Sequence, residues 1–134
     1  MTFTSRLLAA ATLCAVTGAA LADVAVIINP SAARTPSQAE VANIFLGKDK
    51  SLKGYDLKGW NPTKEAFYTQ VTNKNEAQLK SYWSGLVFTG KGQPLTALDN
   101  DADVVARVAS DSGAIGYVDS KAVTGAVKVL FTLP

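Results

Sequence analysis

Histidine is absent from this 134-residue chain, and cysteine and methionine occur once each. Without histidine, the side chain that most often moves protons near neutral pH is missing. The one cysteine, Cys14, falls in a segment expected to be removed. Ser–His–Asp and Cys–His catalysis are thereby excluded, as are the usual zinc sites. No pair of carboxylates stands out for glycoside hydrolysis. Trp60, Tyr68, Tyr82 and Trp83 could stack on a sugar, but two of them have a core explanation below. The chain is therefore read as non-enzymatic, with no cofactor and no metal. A large excess of either charge is also lacking. The 13 Lys and Arg stand against 11 Asp and Glu, and the lysines are scattered. That gives no field for gripping nucleic acid or an acidic membrane. What remains, 48% apolar and 18% charged residues, is ordinary for a globular protein rather than a disordered or disulfide-rich one.

Residues 1–22, MTFTSRLLAAATLCAVTGAALA, have the layout of a secretory signal peptide. Arg6 supplies a positive start, Leu7 to Val16 an uncharged apolar stretch, and Ala20-Leu21-Ala22 a small-x-small cleavage site. The stretch is too short, and too rich in Ala, Thr and Gly, to span a bilayer. A lipoprotein reading at Cys14 meets bulky Leu13 where a small residue is expected. No second apolar run of spanning length follows, so no membrane insertion is expected after cleavage. The exported chain, Asp23 to Pro134, then has neither Cys nor Met. It is expected to be one domain, stable through its core alone.

Val24-Ala25-Val26-Ile27-Ile28 reads as a buried strand, central or parallel. Thr35-Pro36-Ser37-Gln38 reads as a helix start with Thr35 as cap, Pro36 at the first position and Gln38 completing a capping box. Val41, Ile44 and Phe45 face inward, and Gly47 ends the helix. Residues 48–60 suggest a short hairpin or an irregular crossing strand. Asn61-Pro62 opens a second helix carrying Phe67 and Val71, and Asn75 a third. Leu79, Tyr82, Trp83 and Leu86 at helical spacing are expected in the core. Residues 87–98 are rich in turn signals. A helix from Asp99–Asp103 buries Val104, Val105 and Val108. Strands are expected at 113–118 and 127–133. Helices alternating with apolar strands indicate an α/β sandwich.

Two motifs imitate chemical sites. Gly85 to Lys91 fits G-x-x-x-x-G-K, but Gly92 replaces the magnesium-binding hydroxyl, and a helix precedes where a strand is required. Asp99-Asn100-Asp101-Ala102-Asp103 resembles the start of a calcium loop, yet Val104 stands where Gly is needed and Ser110 where Glu is needed. Carboxylates at a helix N-terminus explain the second pattern without a metal.

Several segments, in order, resemble the phosphate ABC-transporter substrate-binding proteins of the type 2 periplasmic binding class. They are Val26-Ile27-Ile28-Asn29-Pro30-Ser31, then Glu40-Val41-Ala42-Asn43-Ile44-Phe45-Leu46-Gly47-Lys48, then Glu65-Ala66-Phe67-Tyr68, and finally Gly113-Ala114-Ile115-Gly116-Tyr117-Val118. They look most like the short, single-domain members of that class. The resemblance implies a compact periplasmic-binding-protein-like α/β sandwich, a mixed sheet flanked by helices. With the export signal it implies a periplasmic location. It also implies phosphate or a similar oxyanion as ligand, and a membrane transporter or sensor as partner. In that family the anion is held by hydroxyls, helix N-terminal amides and an arginine, so the resemblance points to Ser31, Asn61, Thr63 and Lys64. Helix N-termini suit anions because their first N–H groups lack partners and carry partial positive charge. This chain departs from the pattern in three ways. Pro62 has no N–H to donate, Glu65 brings negative charge, and Gly59 and Trp60 stand near the place of the arginine. An envelope interaction protein that keeps the fold but has lost phosphate binding is the alternative.

Overall fold

The computed structural model describes residues 23–134. The expected signal segment, with Cys14, lies outside the described residues. Five strands form one mixed sheet in the order β3-β2-β4-β1-β5. They are β1 (Val24–Ile28), β2 (Lys53–Leu57), β3 (Thr96–Leu98), β4 (Ala114–Asp119) and β5 (Lys128–Leu133). Four helices pack on it: α1 (Gln38–Phe45), α2 (Pro62–Thr72), α3 (Glu76–Phe88) and α4 (Asp101–Ser110). This is an α/β fold with helices on both faces of a mixed sheet.

β1 lies inside the sheet and every one of its residues is buried, as its unbroken apolar run requires. It is antiparallel to both neighbours, β4 and β5, and not parallel to either. The stretch 48–60 forms no hairpin. Its strand, β2, runs parallel to both β3 and β4 and so is reached by crossovers. β3 was hidden within a segment that reads as turn; three residues at a sheet edge are too few for a period-2 signal.

Adjacent residues of β4 show how the layers are divided. Tyr117 stacks on Phe67 of α2 with centroids 4.1 Å apart, and meets Phe45 of α1 edge-on. Its neighbour Gly116 points the other way, where an added Cβ would lie 2.5 Å from Val104 Cγ1 and 3.3 Å from Val108 Cγ2 of α4. Successive strand residues alternate faces. Hence α1 and α2 cover one face and α4 the other, and α4 sits so close that only hydrogen fits at position 116.

The α1 cap differs in register from the sequence expectation. Ser37, not Thr35, is the N-cap. Its hydroxyl accepts from Glu40 N–H, and the Glu40 carboxylate accepts from Ser37 N–H. Thr35 and Pro36 fall before the helix, because the capping box needs its acidic partner at the third helical position and Glu40 supplies it. Gly47 follows α1 at φ 77°, the left-handed conformation that ends helices, and Trp83 seats against it. Asn61, Asn75 and Asn100 cap α2, α3 and α4. The core expectation for α3 holds for one residue. Leu79 is buried, but Tyr82, Trp83 and Leu86 are only partly covered, and Phe88 is 91% exposed. α3 leans on the edge of the fold instead of entering it.

Candidate functional site

β2 and β3 are parallel, with Leu57 beside Leu98 at their carboxyl ends. The chain leaves β2 for α2 on one face and leaves β3 for α4 on the other. Two helix N-termini are thus brought to the same edge of the sheet. Leu57, Asn61, Thr63, Asp99, Asn100, Asp101 and Ala102 line one open cleft of about 500 Å³ between them. Crevices outside the carboxyl ends of parallel strands, where helices part to opposite faces, are the usual ligand sites of open α/β sheets.

Each helix is capped so that some donors are used and others are not. Asn61 Oδ1 accepts from Lys64 N–H at 2.8 Å, and Asn100 Oδ1 accepts from Asp103 N–H at 2.9 Å. Pro62 has no N–H. The amides of Thr63, Asp101 and Ala102 fall in the first turns and have no intrahelical acceptor. All three residues line the cleft. The Thr63 side chain is nearly buried there. Two helix dipoles, each equivalent to about half a positive charge at its N-terminus, add at this point.

The carboxylates at the cleft have their own partners. Asp99 pairs with Lys58 Nζ at 2.9 Å. Asp101 Oδ2 accepts from Asp119 N–H at 3.2 Å, which ties α4 to the end of β4. Burial raises the Asp101 carboxyl above its ordinary value, opposed by the hydrogen bond it accepts from Asp119 N–H.

Lys64 has a different environment. Its Nζ donates to Leu57 O at 2.9 Å and lies 3.7 Å from Asp56 Oδ2, and both side chains are nearly buried. Asp56 in turn accepts from Tyr68 OH at 2.9 Å and from Tyr117 OH. Burial, then the Asp56 charge, holds both phenols in the neutral form, well above the ordinary value of 10.0. Lys64 is therefore bound into an internal network that fastens α2 to β2. Sequence pattern gave no sign of this, because Asp56 lies in a strand whose partners are 12 and 61 residues distant.

Of the residues expected to hold an anion, Asn61, Thr63 and Lys64 share the start of α2, with Lys64 turned inward. Ser31 does not join them. β1 runs antiparallel to β4, so Ser31 follows β1 at the amino ends of β2 and β4, across the sheet from the cleft. Its N–H donates to Asn29 Oδ1, while Asn29 Nδ2 donates to the carbonyls of Val108 and Ala109 at the end of α4. That turn locks a helix end. Gly85 lies within α3, and the segment from Gly85 to Lys91 forms no strand–loop–helix. Among the described residues, no helix is long and apolar enough to cross a membrane, and no cluster of His, Cys, Asp and Glu could hold a metal ion.

No family model matches the sequence. No curated protein matches it either. Solved structures do match the fold. An ABC-type phosphate transport receptor from Vibrio cholerae superposes with a TM-score of 0.60 at 13% identity, covering 81% of this chain and 46% of that one. A protein from Clostridium perfringens assigned as a phosphate ABC transporter substrate-binding protein, with bound phosphate, gives 0.57 at 14% identity, covering 81% and 45%. A protein from Planctomyces limnophilus described as a possible phosphate-binding protein gives 0.51 at 19% identity, covering 74% and 37%. This chain spans less than half the length of each. Its fold matches that of part of each of these proteins.

Proposed function

We propose that this chain is an exported, non-enzymatic solute-binding protein that takes phosphate or a similar small oxyanion in the cleft between α2 and α4. The observation that carries this reading is the meeting of two helix N-termini, with three first-turn amides and the Thr63 hydroxyl, at one edge of the sheet. The backbone donors and paired dipoles supply the attraction. Asn61 and Asn100 fix the helix ends around the anion. Lys64 holds α2 in place from behind, its charge paired with Asp56. Ser31 takes no part. The likeness to proteins named for phosphate transport supports the ligand class, the periplasmic location, and a membrane transporter or sensor as partner. Residues 1–22 supply the export signal.

Calorimetric and thermal-shift titrations with phosphate, sulfate and nitrate test this. A ligand at 100 times its Kd adds about 2.7 kcal/mol of stability. Thr63→Ala is expected to weaken binding without unfolding the chain. Indifference to every oxyanion at millimolar concentration would overturn the reading. It would leave the alternative, an envelope interaction protein with this fold, which the bare outer half of α3 favours. In that case crosslinking in the cell envelope recovers a stable partner.

A further inference from the structure

A second, larger concavity lies at the opposite end of the sheet, around the amino ends of β2 and β3. Its volume is about 1130 Å³, more than twice that of the α2/α4 cleft. Its two sides differ in chemistry. On the α1–α3 side the wall is apolar. Leu95 and Ile44 meet at Gly54, and the Trp83 indole lies over Gly47 and beside Gly92 and Leu86. On the α4 side Arg107 places its guanidinium over the Tyr55 ring, 5.1 Å from the centroid. Lys50, Lys53 and Lys91 also line it. Among the described residues, Arg107, Lys50 and Lys91 pair with no carboxylate, and Lys53 reaches Asp111 only at 3.9 Å. Asp49, the one carboxylate in the lining, turns to its own loop and accepts from Ser51 N–H. Elsewhere Arg34, Lys58, Lys64 and Lys80 each have a carboxylate within 4.0 Å. Among the described residues, Lys48, Lys74, Lys121 and Lys128 also lack such a partner outside this lining, but Arg107, Lys50 and Lys91 share the one concavity, against partly exposed aromatic and aliphatic surface.

We propose that this groove binds an amphipathic organic anion, its apolar body lying along Trp83, Leu86 and Leu95 and its carboxylate or similar head meeting Arg107, Lys91 and Lys50. The apolar wall accounts for α3 keeping Trp83 and Leu86 at the surface, where an ordinary helix would bury them. The head group needs the cations, since removing an apolar tail from water gives affinity but no preference for charge. The site is separate from the α2/α4 cleft, and its ligand differs from inorganic phosphate in carrying a body for the apolar wall.

Trp83 makes the test direct. In Trp60→Phe protein it is the single tryptophan and sits in the groove. Titration with decanoate is expected to shift its emission to the blue, saturably. Decanamide, with the same tail and no charge, and acetate, with the head alone, are expected to bind at least about tenfold more weakly. Arg107→Gln with Lys91→Gln is expected to weaken decanoate about tenfold, the scale of two partly exposed ion pairs. If that pair of changes prevents folding, Lys50→Gln with Lys91→Gln carries the same comparison. Inorganic phosphate is expected not to displace decanoate. A flat titration, an equal response to decanamide, unchanged affinity in the charge variants, or displacement by phosphate would each overturn the proposal. So would saturable binding of an acidic, leucine-rich peptide by protein that ignores decanoate, which would make the groove a protein interface.

Discussion

Replacing Lys64 by Met separates a buried structural cation from an exposed ligand-binding one. The structure puts the Lys64 ammonium 2.9 Å from Leu57 O and 3.7 Å from Asp56 Oδ2, with the two side chains only 14% and 13% exposed. Removing one member of a buried ion pair costs about 3–5 kcal/mol when the other charge is left alone. Asp56 is not left alone, because Tyr68 and Tyr117 still donate to it. Each charged hydrogen bond retains about 1.5–3 kcal/mol, so the expected loss is lower, about 2–3 kcal/mol. Met preserves most of the aliphatic stem, so lost packing adds little. Urea denaturation followed by circular dichroism reads the change as a lower midpoint at constant m. Asp56→Asn is expected to destabilise as well, and the double variant by at least about 1 kcal/mol less than the two losses added together. A Lys64→Met protein within about 0.5 kcal/mol of the parent would refute the network and return Lys64 to solvent.

Three further outcomes follow from the same geometry. Tyr68 and Tyr117 are neutral in the fold well beyond pH 10.0, whereas in the unfolded chain they ionise near it. Stability is therefore full below pH 10 and falls above it, by about 1.4 kcal/mol per pH unit for each phenol. Tyr68→Phe is expected to remove one phenol's share of that slope in urea titrations run from pH 9 to 11.5. Gly116→Ala drives a methyl to 2.5 Å from Val104 and must displace α4, at a cost of about 1–3 kcal/mol in thermal unfolding; adding Val104→Ala is expected to recover part of it. Asn100→Ala removes the acceptor for Asp103 N–H and is expected to cost about 1 kcal/mol by the same assay.

Strong local signals carried over from sequence to structure. The buried strand at 24–28, the Asn61-Pro62 helix start and the valine face of α4 each arise within a few residues, and the sheet respects them. The expectations that changed depended on distant partners. β1 has the composition of a parallel strand because both its faces are covered, and coverage does not determine the direction of its neighbours. Tyr82, Trp83 and Leu86 have core spacing, but the spacing cannot reveal that α3 lies at the sheet's edge. β3 owes its pairing entirely to β2. The candidate site divides in the same way. Asn61 and Thr63 are visible as a helix start. That Asp101 and Ala102 face them, that Lys64 turns inward, and that Ser31 lies across the sheet all follow from strand order and direction, which no local pattern encodes.

Amide chemical shifts followed by NMR during a phosphate titration test the central claim most directly. Saturable shifts concentrated at Thr63, Asp101 and Ala102, with Ser31 unmoved, are the predicted result. Shifts confined to other residues, or none at millimolar phosphate, would contradict an anion seat between α2 and α4.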